Sequence, residues 1–173
     1  MHPWPDLRSI LQDIPWLIVG GVATRAYMPE RATQDLDILI RRADGETVWE
    51  KLHTAGYARV SDLAIPGFVA RSPESIELDI LYGEAAWLDE ALRHPETDAA
   101  GYPVIGLPYL VLMKMASARA QDMADLARML GLASETRLAQ VRDAVRRYAP
   151  IEAEDLEALI YLGRIEIGAP ITN

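Results

Sequence analysis

Residues 16–40 read WLIVGGVATRAYMPERATQDLDILI. An apolar run from Trp16 to Val19 stops at the pair Gly20-Gly21, residues 22–27 can open a helix, and Pro29 breaks it. After a polar loop over 30–34, residues 35–40 form a second strand in which Asp35 and Asp37 alternate with Leu36 and Ile38. Side chains on a strand alternate between faces, so the two aspartates point together while Leu36 and Ile38 pack behind them. Two like charges that close repel, and water, a proton or a divalent cation must offset the repulsion. Magnesium suits the position, because it takes oxygen ligands and completes its shell with waters and substrate phosphates.

A third aspartate, Asp79, stands in IELDILYG, within a strand predicted over 76–82 and closed by Gly83. Glu77 shares its face and is the alternative ligand; Leu78 and Ile80 flank Asp79 and bury it more deeply. Glycines at a strand-to-helix turn let the backbone come close to a ligand, and the exposed N–H groups of a helix start attract anions, which places Gly20-Gly21 for phosphate. Arg25, Arg31 and Thr33 flank that turn, with plain surface solvation as the ordinary reading of each. Glycines for phosphate, carboxylates for the bridging metal and a further carboxylate on a neighbouring strand are the parts that phosphoryl or nucleotidyl transfer requires.

Outward from this stretch, Leu7, Ile10, Leu11 and Ile14 give a short amphipathic helix ended by Pro15. Residues 44–54 read as a helix, and 57–60 and 68–71 as strands, with a turn over 73–75. From Gly106-Leu107-Pro108 the pattern is helical: 109–130, then 136–148, then 152–162. The fold class is therefore α/β (α+β), a mixed sheet flanked by helices over 1–107, with a helical part over 108–173 packed on it as one unit. Lys114, Asp122 and Asp125 fall at i, i+8 and i+11 of the helix predicted over 109–130. They read either as one edge of a cleft, with Lys114 on a nucleotide phosphate, or as a solvated face in which Arg119 pairs with Asp122.

The chain has 173 residues, 17 basic against 26 acidic, for a net charge of −9. No general field attracts a polyanion, so general nucleic-acid binding is not expected. There are no cysteines, hence neither a disulfide framework nor a thiolate metal site. The first residues lack a signal-peptide pattern, and no apolar run approaches the roughly 20 residues of a membrane span. A cytoplasmic protein is expected. His2, His53 and His94 are scattered without zinc-ligand spacing. Trp4, Trp16, Trp49 and Trp87, like Met113, Met115, Met123 and Met129, read as packing residues.

The order Gly-Gly, a gap of thirteen residues from Gly21 to Asp35, Asp-x-Asp among apolar residues and a later apolar-Asp-apolar resembles the polymerase-β-like nucleotidyltransferase superfamily. The likeness is closest to small prokaryotic members, including nucleotidyltransferase-like toxins of toxin-antitoxin pairs, and covers about residues 16–130. Those relatives also carry a helix with a Lys, an Arg and an Asp pair, similar to Lys114, Arg119, Asp122 and Asp125. The resemblance implies a magnesium-dependent enzyme, using two ions, that moves a nucleoside monophosphate from a nucleoside triphosphate such as ATP to an acceptor hydroxyl. It implies that Asp35 and Asp37 ligate both metals and that Asp79 ligates the one beside the acceptor. Gly20 and Gly21 would cradle the triphosphate. Many members have Gly-Ser, and Gly21 stands where that serine would be, so backbone contacts, helped by Thr24 or Arg25, would have to suffice. The acceptor could be a small molecule, a tRNA end or a protein side chain. The alternatives are a vestigial nucleotidyltransferase-fold component that binds a partner antitoxin, and a metal-dependent phosphohydrolase.

Overall fold

The computed structural model describes residues 4–29 and 35–168. Its elements run α1 (Leu7–Ile10), β1 (Leu17–Ile18), α2 (Gly20–Ala23), β2 (Leu36–Arg41), α3 (Gly45–Thr54), β3 (Ala58–Asp62), β4 (Gly67–Arg71) and β5 (Glu77–Gly83). They continue with α4 (Leu88–Arg93), β6 (Glu96–Thr97), β7 (Pro103–Val104), α5 (Leu107–Ser117), α6 (Ala120–Leu132), α7 (Glu135–Tyr148) and α8 (Ala153–Glu166). Two compact units result. The first comprises 4–23 and 35–105, and the second comprises 24–29 and 106–168.

The first unit holds one seven-stranded mixed sheet in the order β3-β4-β5-β2-β1-β7-β6. The central pair β2 and β5 is parallel, with Ile38 opposite Ile80 and Leu36 opposite Leu78, while β4 joins antiparallel, setting Phe68 against Ile80 and Ala70 against Leu78. These six side chains are buried on one face of the sheet, together with Val48 and Leu52 of α3. Burial of this face supplies the main driving force for the unit. Trp49 meets Phe68 edge-on at 5.8 Å between ring centres, and Gly45 lets α3 come close to Tyr82, whose ring lies 2.9 Å from where a Cβ would stand. The alternate residues of the central strands, Asp37, Val69 and Asp79, lie on the other face.

The expected mixed sheet is present, with differences at its margins. Helix α1 spans only Leu7–Ile10 because Asp6 caps its start and Leu11 already leaves helical geometry. The strand–glycine–helix order holds, but the helix after Gly20 is one short turn followed by a 3₁₀ turn over Thr24–Ala26. The loop over 30–34, with Arg31 and Thr33, lies outside the described residues.

The second unit contains α5–α8. The single helix expected over 109–130 is two helices: α5 ends at Ser117, Ala118 turns left-handed at φ 50°, and Arg119 is extended before α6 begins. Alanine is a strong helix former, so nothing at position 118 announces the break. Helices α6 and α8 cross where Gly131 and Gly163 meet; a Cβ on Gly163 would stand 1.9 Å from the Ala127 carbonyl oxygen. Arg164 of α8 donates to the carbonyls of Gly131 and Ala133, each at 2.9 Å, and satisfies the C-terminal end of α6. No helix among the described residues is long and apolar enough to cross a membrane.

Candidate active site

In the first unit, β1 and β2 are antiparallel, with Leu17 opposite Leu39 and Ile18 opposite Ile38, and the Val19 amide donates to the Asp37 carbonyl at 3.0 Å. The register brings the end of β1, where Gly20 stands, beside Asp37. Gly20 has φ +62°, and a Cβ there would lie 2.0 Å from Asp37 Oδ2. The glycine therefore has a local duty: it turns the chain left-handed and leaves room for a carboxylate that no larger residue could accommodate.

Across the parallel pair, Asp37 and Asp79 are in register, so their side chains leave the same face of neighbouring strands. Asp35, two residues before Asp37, belongs to that face as well and is exposed, while Asp37 and Asp79 are half-buried. The Asp79 carboxyl is pushed above its ordinary value, first by burial, then by the charge of Asp35 and then by that of Glu77. No cation contributes to its shift. Glu77, the alternative ligand, is exposed and bound to Arg71 at 2.8 Å.

The donor set is all carboxylate oxygen, which suits a hard divalent cation in kind. The crowding that raises Asp79 is of the sort that a cation relieves. In their present rotamers, with Asp37 against Gly20, no three Asp, Glu or His side chains among the described residues are gathered to hold a metal ion. Backbone register thus brings Asp37 and Asp79 onto one face of the sheet.

The other expected site residues belong to the second unit. Thr24 is fully buried and Arg25 half-buried. Lys114 is 5% exposed and lies between two carboxylates, Nζ donating to Asp122 Oδ1 at 2.6 Å and to Asp125 Oδ2 at 3.0 Å. Both readings of Lys114, Asp122 and Asp125 as residues of one helix face need correction. Lys114 is on α5, the aspartates are on α6, and the chain reversal at Ala118 brings them together. Ser117 and Gln121, which sequence reasoning passed over, complete the cluster by donating to Asp122 and to Asp125 respectively. Burial alone would raise Asp122, but hydrogen bonds from Lys114 and Ser117 and the charges of Lys114 and Arg119 outweigh it and hold the carboxyl below its ordinary value.

Among solved structures, a candidate nucleotidyltransferase from Thermotoga maritima superposes with a TM-score of 0.50 at 12% identity, over 72% of this chain and 89% of that one. Lincosamide antibiotic adenylyltransferase LnuA, lincomycin-bound, gives 0.47 at 16% identity, over 80% of this chain and 90% of that one. The antibiotic-resistance factor ANT(2'')-Ia, in complex with adenylyl-2''-tobramycin, gives 0.45 at 19% identity, over 90% of each chain. No family model and no curated protein matches the sequence. At 12% identity the likeness to the Thermotoga maritima protein shows the fold alone, and the chain has a nucleotidyltransferase-like fold.

Proposed function

From a nucleotidyltransferase fold with three aspartates on one face of its central strands, we propose an enzyme that transfers a nucleoside monophosphate from a nucleoside triphosphate to an acceptor hydroxyl. The acceptor oxygen bonds to the α-phosphorus, the bond from that phosphorus to the pyrophosphate oxygen breaks, and pyrophosphate leaves. The observation that carries the reading is the register pair Asp37 and Asp79 on parallel neighbours, with Asp35 on the same face and Gly20 against Asp37. Asp35, Asp37 and Asp79 would hold magnesium, as two ions, which when bound neutralises the phosphate charge and lowers the barrier to attack. Gly20 and Gly21 would receive the triphosphate through backbone N–H groups.

Asp79 has a second capacity. A carboxylate whose proton affinity is raised by burial and by a neighbouring negative charge is better suited than an ordinary one to accept the proton of the acceptor hydroxyl. Lys114 is given no phosphate role here, since its ammonium is held by Asp122 and Asp125. A net charge of −9 favours a small-molecule or protein acceptor over a tRNA end.

The test is incubation with labelled nucleoside triphosphates, magnesium and a panel of acceptor classes. Transfer should require magnesium and fall by at least about 10²-fold in Asp37→Ala, the scale of losing one fixed electrostatic group. Transfer that is unaltered in Asp35→Ala/Asp37→Ala would refute the assignment. One observation favours a second reading, a partner-binding protein of a toxin-antitoxin pair in which nucleotide chemistry is vestigial: the three aspartates are not closed into a metal-holding group among the described residues. Tight partner binding without any heat on titration with magnesium and ATP would select it.

A further inference from the structure

The first unit contains an open cleft of about 400 Å³ whose lining includes none of the three aspartates and neither glycine of the candidate active site. It lies between α1, the residues that follow α3 and the turn from β4 to β5. Trp4, Ile10, Tyr57 and Ile76 supply apolar walls, and Asp6 and Glu74 supply carboxylates. Among the described residues no lysine, arginine or histidine lines it.

Two of these polar groups have no protein partner among the described residues. Tyr57 is 4% exposed and lines the cleft, its hydroxyl makes no hydrogen bond, and the oxygen is not sealed from solvent. A largely buried phenol whose hydroxyl bonds to nothing in the protein is left to water or to a ligand for its hydrogen bond. Glu74 is exposed at the rim and likewise has no hydrogen bond or ion pair among the described residues. Asp6 differs: it accepts from Arg8 Nε at 2.9 Å and Nη2 at 3.0 Å, and its charge is answered.

We propose that this cleft binds a small organic cation, an ammonium or amidinium group on a flat apolar body, held by the Glu74 carboxylate and the Tyr57 hydroxyl beside the Trp4 ring. The charge selects the class. An anionic ligand would meet two carboxylates and, among the described lining residues, no cation, and a neutral apolar one would displace water from Glu74 and Tyr57 without replacing it. A cation has a carboxylate to pair with and a hydroxyl oxygen to donate to. The Tyr57 phenol is pushed up to about 12, by burial first and then by the Glu74 charge, which is consistent with the hydroxyl and the carboxylate facing one space. The proposal does not rest on the transfer reaction, since the two sites share no residue.

The test uses the full chain and benzamidine, with neutral benzamide as its near-isostere, followed by NMR at the Trp4 indole N–H. Benzamidine should shift that signal and saturate near about 1 mM, with benzamide about tenfold weaker. Glu74→Gln should weaken benzamidine binding about tenfold and Tyr57→Phe about threefold. Both variants should keep the wild-type melting temperature, because neither removed group has a partner in the fold. Binding should persist in Asp35→Ala/Asp37→Ala even where transfer is abolished, which separates the failure of one idea from the failure of the other. No shift at Trp4 up to about 10 mM benzamidine, equal affinity for benzamide, or wild-type affinity in Glu74→Gln would each overturn the proposal.

Discussion

The chain contains two sets of aspartates whose electrostatics run in opposite directions. In the sheet unit Asp79 is raised by burial and by the charges of Asp35 and Glu77, with no cation among the causes of its shift. In the helical unit Asp122 is lowered despite burial, because Lys114 and Ser117 bond to it, and its neighbour Asp125, 3% exposed, shares the same ammonium. A buried ion cluster completed by its own counter-charge is a structural device. A carboxyl raised by burial and by like charge is a cost to the fold, of the kind that functional sites retain. The difference teaches where to look for chemistry: at Asp79, whose carboxyl is raised by burial and like charge, and at the aspartates that share its face.

The largest effect should come from removing the counter-charge. Lys114→Met leaves Asp122 and the buried Asp125 facing each other, and the helical unit should lose about 3–5 kcal/mol, read by urea unfolding followed at the helical signal. If Lys114 served a nucleotide instead, stability would hold and nucleotide affinity would fall. Ala118→Gly sharpens the same point, because glycine tolerates φ 50° without strain. It should add about 1 kcal/mol without disturbing the cluster, seen as a higher melting temperature.

In the sheet unit the sign reverses. Asp79→Asn removes a charge that the fold disfavours, so stability at neutral pH should rise by about 1 kcal/mol or less while transfer activity falls, measured by thermal melting beside the labelled-triphosphate assay. The smallest effect is on acid titration, followed by carboxyl NMR. Asp79 should take up its proton above the ordinary 3.8 and Asp122 below it. Asp79 binds that proton more tightly folded than unfolded, so its contribution to stability is full below 3.8 and is lost as pH rises through the folded value. Asp122 contributes fully above 3.8 and loses its contribution as pH falls through its folded value.

Much of the sheet was legible because β2 and β5 carry alternating patterns with long apolar stretches, and these fix strand, face and burial together. The pairing of Asp37 with Asp79 was not legible, since register depends on which strands become neighbours. The sequence pattern offers Gly20 as room for a ligand's phosphate; in the fold a Cβ there would meet Asp37, a contact across strands that no local pattern encodes. Strands β6 and β7, two residues each, are too short to show alternation. The break at Ala118 escaped because helix propensity there favours continuation. What holds the reversal is long-range, a lysine reaching eight and eleven residues on to two aspartates across a turn.

Manganese tests the contrast most directly, because a paramagnetic ion broadens the NMR signals of residues close to where it binds. With a non-hydrolysable triphosphate present, broadening should centre on Gly20, Asp35, Asp37 and Asp79 and spare Asp122 and Asp125. Broadening centred on Asp122 and Asp125, or none at the sheet aspartates, would contradict the assignment of the sheet carboxylates as the cation site.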